Sequence, residues 1–210
     1  MAAGASKPSG GRKLPWLKPG VLIGALVPLA VLVTRAFLHK LGADPVAIAL
    51  NQLGLLALIL LVASLAATPL KIMTGATWPI RIRKLLGLLA FFYASLHFLV
   101  YALVDQGLAL SAIVKDVTER KFITVGFAAL LLLVPLAVTS TSGMLKRLGA
   151  ARWKRLHRLV YLAALLAAVH FIWRVKKDLS QPAAYAIVLG LLLAVRVFEV
   201  QSRKRLKRGF

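Results

Sequence analysis

Three histidines sit in segments where hydrocarbon alone would be expected. His157 and His170 lie near the two ends of LHRLVYLAALLAAVHFIW, residues 156–173, and His97 lies within FFYASLHFLVY. Polar side chains at membrane depth are costly and usually face a partner or a cavity. The rings therefore point to metal ligation, a proton relay or a hydrogen bond between helices. The chain contains no cysteine, which removes disulfides, thiolate metal sites, iron–sulfur clusters and covalent haem attachment through C-x-x-C-H. Histidine is left as the obvious metal ligand.

A membrane scaffold must position these residues. Of the 210 residues 60% are hydrophobic, and the mean hydropathy of +0.83 is too high for an ordinary soluble domain. A helix of roughly 20 apolar residues spans a bilayer, and that template fits the segments 20–38, 46–67, 85–104, 122–139, 156–174 and 183–200. The expected fold is an all-α integral membrane bundle of six transmembrane helices. It comprises a disordered basic tail over 1–19, a transmembrane domain over 20–200 and a second basic tail over 201–210. The first apolar run follows a basic flank, as in a signal peptide, but leads into TRAFLHK and not into a small-residue cleavage site; it reads as an uncleaved first helix. Stretches such as TPLKIMTGATWPIRIRK and TSGMLKRLGAARWKR read as connecting loops. No internal repeat stands out.

The formal charge of +22 follows membrane topology, and not nucleic-acid binding, because the basic residues fall between apolar runs. The N-terminal tail has Lys7, Arg12, Lys13 and Lys18, and the second loop Lys71, Arg81, Arg83 and Lys84. The fourth loop adds Lys146, Arg147, Arg152, Lys154 and Arg155, and the C-terminal tail Arg203, Lys204, Arg205, Lys207 and Arg208, with no acid in any of the four segments. The opposite loops carry Lys40, then Lys115, Arg120 and Lys121, then Lys176 and Lys177, accompanied by Asp44, Asp105, Asp116, Glu119 and Asp178. The bias expects both termini in the cytoplasm.

With that orientation spans three and five both run outward. His97 is 12 residues above Leu85 and His170 is 14 above Leu156, heights of about 18 and 21 Å at a rise of about 1.5 Å per residue. Two imidazoles at one level can clasp one metal. A bare zinc site normally needs three or four ligands, whereas haem needs only two axial ones. The aromatic, aliphatic and small residues around both histidines suit a flat apolar macrocycle, so haem b is the expected occupant, with His97 and His170 as iron ligands. His157 lies about 20 Å lower and, on an ideal helix, is turned about 140° away from His170. It is either an ordinary interfacial residue or a functional one, serving a second haem with a non-histidine or missing sixth ligand, contacting a flavin, or admitting electrons from the cytoplasm.

Other polar residues read more simply. His39 is a solvated boundary residue, and Arg35, Arg158, Arg174 and Arg196 can snorkel from span ends, with pairing to haem propionates the alternative for Arg35 and Arg174. Asn51 and Gln52 fit helix packing, with a quinone head group as the other option. Trp16, Tyr101, Trp153 and Trp173 fit interfacial belts.

The segments IRIRKLLGLLAFFYASLHFLVYALVD at 80–105, FITVGFAALLLLVPLAVTSTSGMLKRLGAARWKRLHRLVYL at 122–162 and HFIW at 170–173 carry a family resemblance. The chain resembles the MsrQ (formerly YedZ) family, haem-binding membrane subunits of the bacterial periplasmic methionine sulfoxide reductase system, and more widely the ferric reductase-like transmembrane domains. In oxidases of that wider group, spans three and five each contribute two histidines and hold two stacked haems. Here span three has only His97. The resemblance implies a multi-pass protein of the bacterial inner membrane that takes electrons from the quinone pool or a cytoplasmic flavin reductase. It would pass them through haem to MsrP, a periplasmic molybdopterin enzyme, and so would not be catalytic alone. FMN is also implied, without residues to assign. Two other functions compete: a proton or solute transporter in which the histidines relay protons, which would be colourless, and a stand-alone ferric or quinone reductase of the same fold.

Overall fold

The structure, a computed structural model, describes residues 14–175 and 178–208. Most of the tail expected over 1–19 lies outside these residues, as do Lys176 and Lys177, but the chain is already helical from Leu17. The helices are α1 (Leu17–Phe37), α2 (Pro45–Thr74), α3 (Trp78–Leu99), α4 (Leu110–Glu119), α5 (Lys121–Val138), α6 (Ser142–Leu156), α7 (Leu159–Arg174) and α8 (Ser180–Arg208). No strand occurs among the described residues. Five spans are long and apolar enough to cross a membrane singly: α1, α2, α3 with its extension to Asp105, α5 and α8. At 16 residues, α7 is only about 24 Å long, short of the roughly 30 Å hydrocarbon core. Counted as one span with α6, against which it bends by 43°, it brings the number of candidate crossings to six. With six crossings the described ends of the chain would share one face, here called the terminal face.

Local signals explain most boundaries. Asp44 caps α2 by accepting the Ala47 N–H at 2.9 Å, with Pro45 at the first helical position, and Gly75 ends the helix in a left-handed conformation at φ 72°. The stretch expected as a loop around Pro69 is therefore helical to Thr74. Likewise α3 starts at Trp78, which puts Arg81, Arg83 and Lys84 on a helix and not in a loop. Thr141 caps α6 through the Met144 N–H at 3.1 Å, so the basic fourth loop is a helix too, broken at Gly149 (φ 71°, ψ 153°). The third loop contains α4, too short to span. The Asp178 carboxylate accepts the Ser180 N–H at 2.9 Å ahead of α8, and the Ser180 hydroxyl and N–H hold its carboxyl below the usual range. The second tail, expected from residue 201, continues α8 to Arg208.

Two antiparallel pairs form the centre: α2 lies along α3, and α5 along α7. Leu53, Leu61 and Leu65 of α2, Leu86, Leu89 and Ala90 of α3, Leu133 and Leu136 of α5, and Ala163, Ala164 and Ala168 of α7 make one buried cluster. The small α7 alanines let the α5 backbone approach closely, the usual basis of packing between membrane helices. Tyr93 is fully buried, and its hydroxyl donates to the Ala25 carbonyl of α1, in the turn before the helix-interrupting Pro28. Tyr93→Phe is expected to lower stability by about 1 kcal/mol, read as an earlier thermal transition in detergent with unchanged cofactor spectra.

Candidate functional site

His97 near the end of α3 and His170 near the end of α7 meet in the half of the bundle away from the terminal face. His97 Nδ1 lies 2.9 Å from the Leu50 carbonyl of α2, and His170 Nδ1 lies 2.7 Å from the Phe122 carbonyl of α5. A carbonyl only accepts, so each Nδ1 carries the proton and donates it, and each Nε2 keeps a bare lone pair. The ring centroids are 6.2 Å apart with planes at 82°. A metal held about 2 Å from one nitrogen of each ring leaves centroids on the order of 6 Å apart. The two rings thus stand at ligating separation, each fixed by a backbone carbonyl in the manner of histidines that bind metal.

Around them lies a cavity of about 360 Å³, lined by Leu55, Leu58, Ala94, Phe98, Phe127 and other apolar groups. Its polar residues are concentrated toward the rim: Asn51, Asp105, Arg120 and Arg174. Arg174 donates to Asn51 Oδ1, and Arg120 pairs with Asp116 at 3.1 Å. No group of three or more metal-ligating side chains occurs among the described residues, which argues against bare zinc. A flat apolar macrocycle with two axial positions to fill and acidic arms for the rim arginines fits this donor set.

Next to His97 the chain makes a π-helical turn, Val100–Asp105, a feature frequent at functional sites. It carries Tyr101, whose hydroxyl donates to Asp116 Oδ2 at 3.0 Å. Tyr101, expected in an interfacial belt, lies near the end of this span and also joins α3 to α4 and, through Asp116, to Arg120.

His157 is placed elsewhere. It caps the end of α6 and does not belong to a continuous fifth helix, so the ideal-helix angle to His170 does not apply across the 43° bend. A second cavity of about 240 Å³ opens beside it, lined by Ser64, Arg83, Lys84, Gly87, Ser140 and Trp153 among others. Leu61 and Leu133 line both cavities, which are stacked toward opposite ends of the bundle. The Trp153 ring stacks on His157 at 3.8 Å, and its N–H donates to the Thr139 carbonyl at 2.9 Å. The Thr139 hydroxyl, 2.6 Å from the Pro135 carbonyl, donates there, so it accepts from His157 Nε2 at 3.1 Å. His157 is thus held in the opposite tautomer to His97 and His170.

Other expectations divide. Arg35 bonds the Lys40 carbonyl and closes α1, away from both cavities, and His39 and Arg158 are exposed boundary residues. Arg174 does not simply snorkel, since it lines the first cavity. Arg196 lies 5.1 Å over the Tyr161 ring with its Nη1 buried and unpaired. Asn51 packs helices through Arg174, and Trp16 and Trp173 are exposed as a belt requires. Unanticipated were Arg120, the two acceptor carbonyls, and Gly54 and Gly126, which also line the first cavity.

Comparison with known proteins bears on the same residues. Residues 53–168 match the family model for the ferric reductase like transmembrane component. A protein of Deinococcus radiodurans is 56% identical over 182 residues, 87% of this chain and 90% of its own length. Relatives from Rhodospirillum rubrum, 50% identical over 90% of this chain and 91% of their own, and Ralstonia nicotianae, 45% over 90% and 88%, are equally extensive. All three are named protein-methionine-sulfoxide reductase heme-binding subunit MsrQ.

Proposed function

This chain belongs to the MsrQ family of ferric reductase-like membrane proteins, and from that premise we propose that it is a cytochrome b-type electron-transfer subunit. Electrons enter at the terminal face, in the cytoplasm by the bias of basic residues, from the quinone pool or a flavin reductase. They leave at the opposite face for MsrP, which reduces methionine sulfoxide in oxidised periplasmic proteins. The observation that carries this reading is the pair of bare Nε2 atoms on His97 and His170 inside an apolar, membrane-embedded cavity.

Haem b bound there supplies a one-electron carrier whose potential its surroundings set. His97 and His170 would hold the iron, with Leu50 and Phe122 fixing their tautomer. Arg174 and Arg120 would hold the propionates, and the Phe98, Phe127 and leucine walls exclude water. We assign His157 to a second haem in the inner cavity, with Arg83 and Lys84 available to its acidic groups. Ligation through Nε2 would require that nitrogen to leave the Thr139 hydroxyl and the ring proton to move to Nδ1. A pyridine haemochrome assay on the purified protein should give two haems per chain, and His157→Ala one, with the spectrum of the outer haem intact.

The test of function is reoxidation. After dithionite reduction and removal of excess reductant, a catalytic amount of MsrP should fully reoxidise the haem only in the presence of excess protein methionine sulfoxide, two haem electrons and two protons being consumed for each sulfoxide reduced to thioether and water. The family match to ferric reductases supports one competing reading, a stand-alone reductase. Rapid reoxidation by ferric chelate, with none by MsrP and substrate, would select that reading. Absence of haem from a folded preparation supplied with haem would remove both.

A further inference from the structure

The two histidines are held by the same device, built twice. His97 reaches across 47 residues to the Leu50 carbonyl, and His170 across 48 to Phe122. Four residues beyond each acceptor, one helical turn along the same face, stands a glycine: Gly54 after Leu50 and Gly126 after Phe122. A Cβ on Gly54 would lie 3.1 Å from His97 Nδ1 and 3.2 Å from its Cε1. On Gly126 it would lie 2.5 Å from His170 Nδ1, 2.8 Å from Cε1 and 3.0 Å from Cγ. Neither glycine has the positive φ that would call for glycine on backbone grounds. In both helices glycine is instead the residue that leaves room for the ring.

We propose that Gly54 and Gly126 are positioning residues of the haem site, each opening a notch in which an imidazole lies against the neighbouring helix and donates Nδ1–H to the carbonyl one turn back. The proposal rests on the haem reading of the cavity and says how that site is tuned. With the N–H held by a carbonyl, the imidazole is a stronger donor to whatever its Nε2 ligates. A methyl group in the notch pushes the ring off the carbonyl, weakens that donation and favours the reduced, more electron-rich iron. The clash distances rank the sites: His170 must move when Gly126 becomes alanine, whereas His97 must give by only a few tenths of an ångström beside Gly54.

The experiment is a redox titration with low-temperature EPR of the oxidised outer haem, on full-length detergent-purified Gly54→Ala, Gly126→Ala and the controls Gly24→Ala and Gly190→Ala. A Cβ on either control glycine meets nothing within 4 Å. The expected result is full haem occupancy in Gly54→Ala with altered EPR g values and a midpoint potential above wild type. The shift should be larger in Gly126→Ala, about tenfold in the reduction equilibrium, or 59 mV for one electron. The controls should stay at the wild-type value. Should Gly126→Ala fail to fold or load haem, Gly54→Ala decides alone. Unchanged potential and EPR in Gly54→Ala with haem bound, or equal shifts in the controls, would overturn the proposal. Failure of the haem reading looks different: the wild-type protein itself would lack haem, or would keep it after loss of His97 and His170.

Discussion

Replacing His97 or His170 by alanine is expected to remove the outer haem and stop electron delivery to MsrP. In the proposed site each ring would supply one axial bond, and among the described residues no group of three or more metal-ligating side chains occurs. Loss of one bond also leaves a backbone carbonyl, Leu50 or Phe122, without its side-chain donor, although its helix can still use it. Each 1.4 kcal/mol of lost binding is about tenfold in affinity, so loss of a metal–ligand bond should reduce haem content well beyond tenfold. His39→Ala, at an exposed position, should leave content and spectrum unchanged. Pyridine haemochrome content and the reduced-minus-oxidised spectrum, measured on protein shown to be folded, check both outcomes. Haem and electron delivery intact in the His97 and His170 variants would sink the site assignment.

The second large effect is expected at Arg174. Its guanidinium lines the same cavity and donates to Asn51, so in the proposed site a fixed positive charge would stand near the haem edge. Reduction adds a negative charge to the haem, and a nearby cation favours it. Arg174→Met should therefore lower the midpoint potential. At an effective dielectric of about 20, a charge lining the cavity is worth on the order of 1 to 2 kcal/mol, about a fivefold to thirtyfold shift in the reduction equilibrium and on the order of 40 to 90 mV for one electron. Arg174→Lys retains the charge but loses the planar fork, so its potential should lie between wild type and Arg174→Met. A redox titration of the three proteins decides. A higher potential in Arg174→Met, or none of the shift, would place the guanidinium away from the haem.

Much of this architecture was legible in the sequence. The six apolar runs, their approximate limits and the matched positions of His97 and His170 follow from a fixed helical rise and the thickness of a bilayer, both independent of how helices pack. Depth along a helix is a one-dimensional quantity, and one chain carries it. The expected loops are helical for a reason of the same kind: Thr141, Asp44 and Gly75 cap and end helices locally, but a basic stretch with Pro or Gly looks alike in a loop and in an interfacial helix. His157 shows the limit within a single segment. Its sequence continues an apolar run, yet the bend between α6 and α7 takes it off the axis of α7 and into contact with Trp153 and Thr139.

Composition, hydropathy and helical rise are enough to establish an all-helical membrane bundle, the absence of thiolate chemistry and which histidines share a level. Which nitrogen of each ring is free is settled by contacts between helices. That property depends on carbonyls 47 and 48 residues away and on the two glycines that let the rings approach them. Such contacts also decide that Arg174 faces the cavity, because facing is a matter of rotation about a helix axis and of which neighbour packs there. Neither quantity is written in the spacing of residues along one chain segment, since each is settled by close packing between segments far apart in sequence.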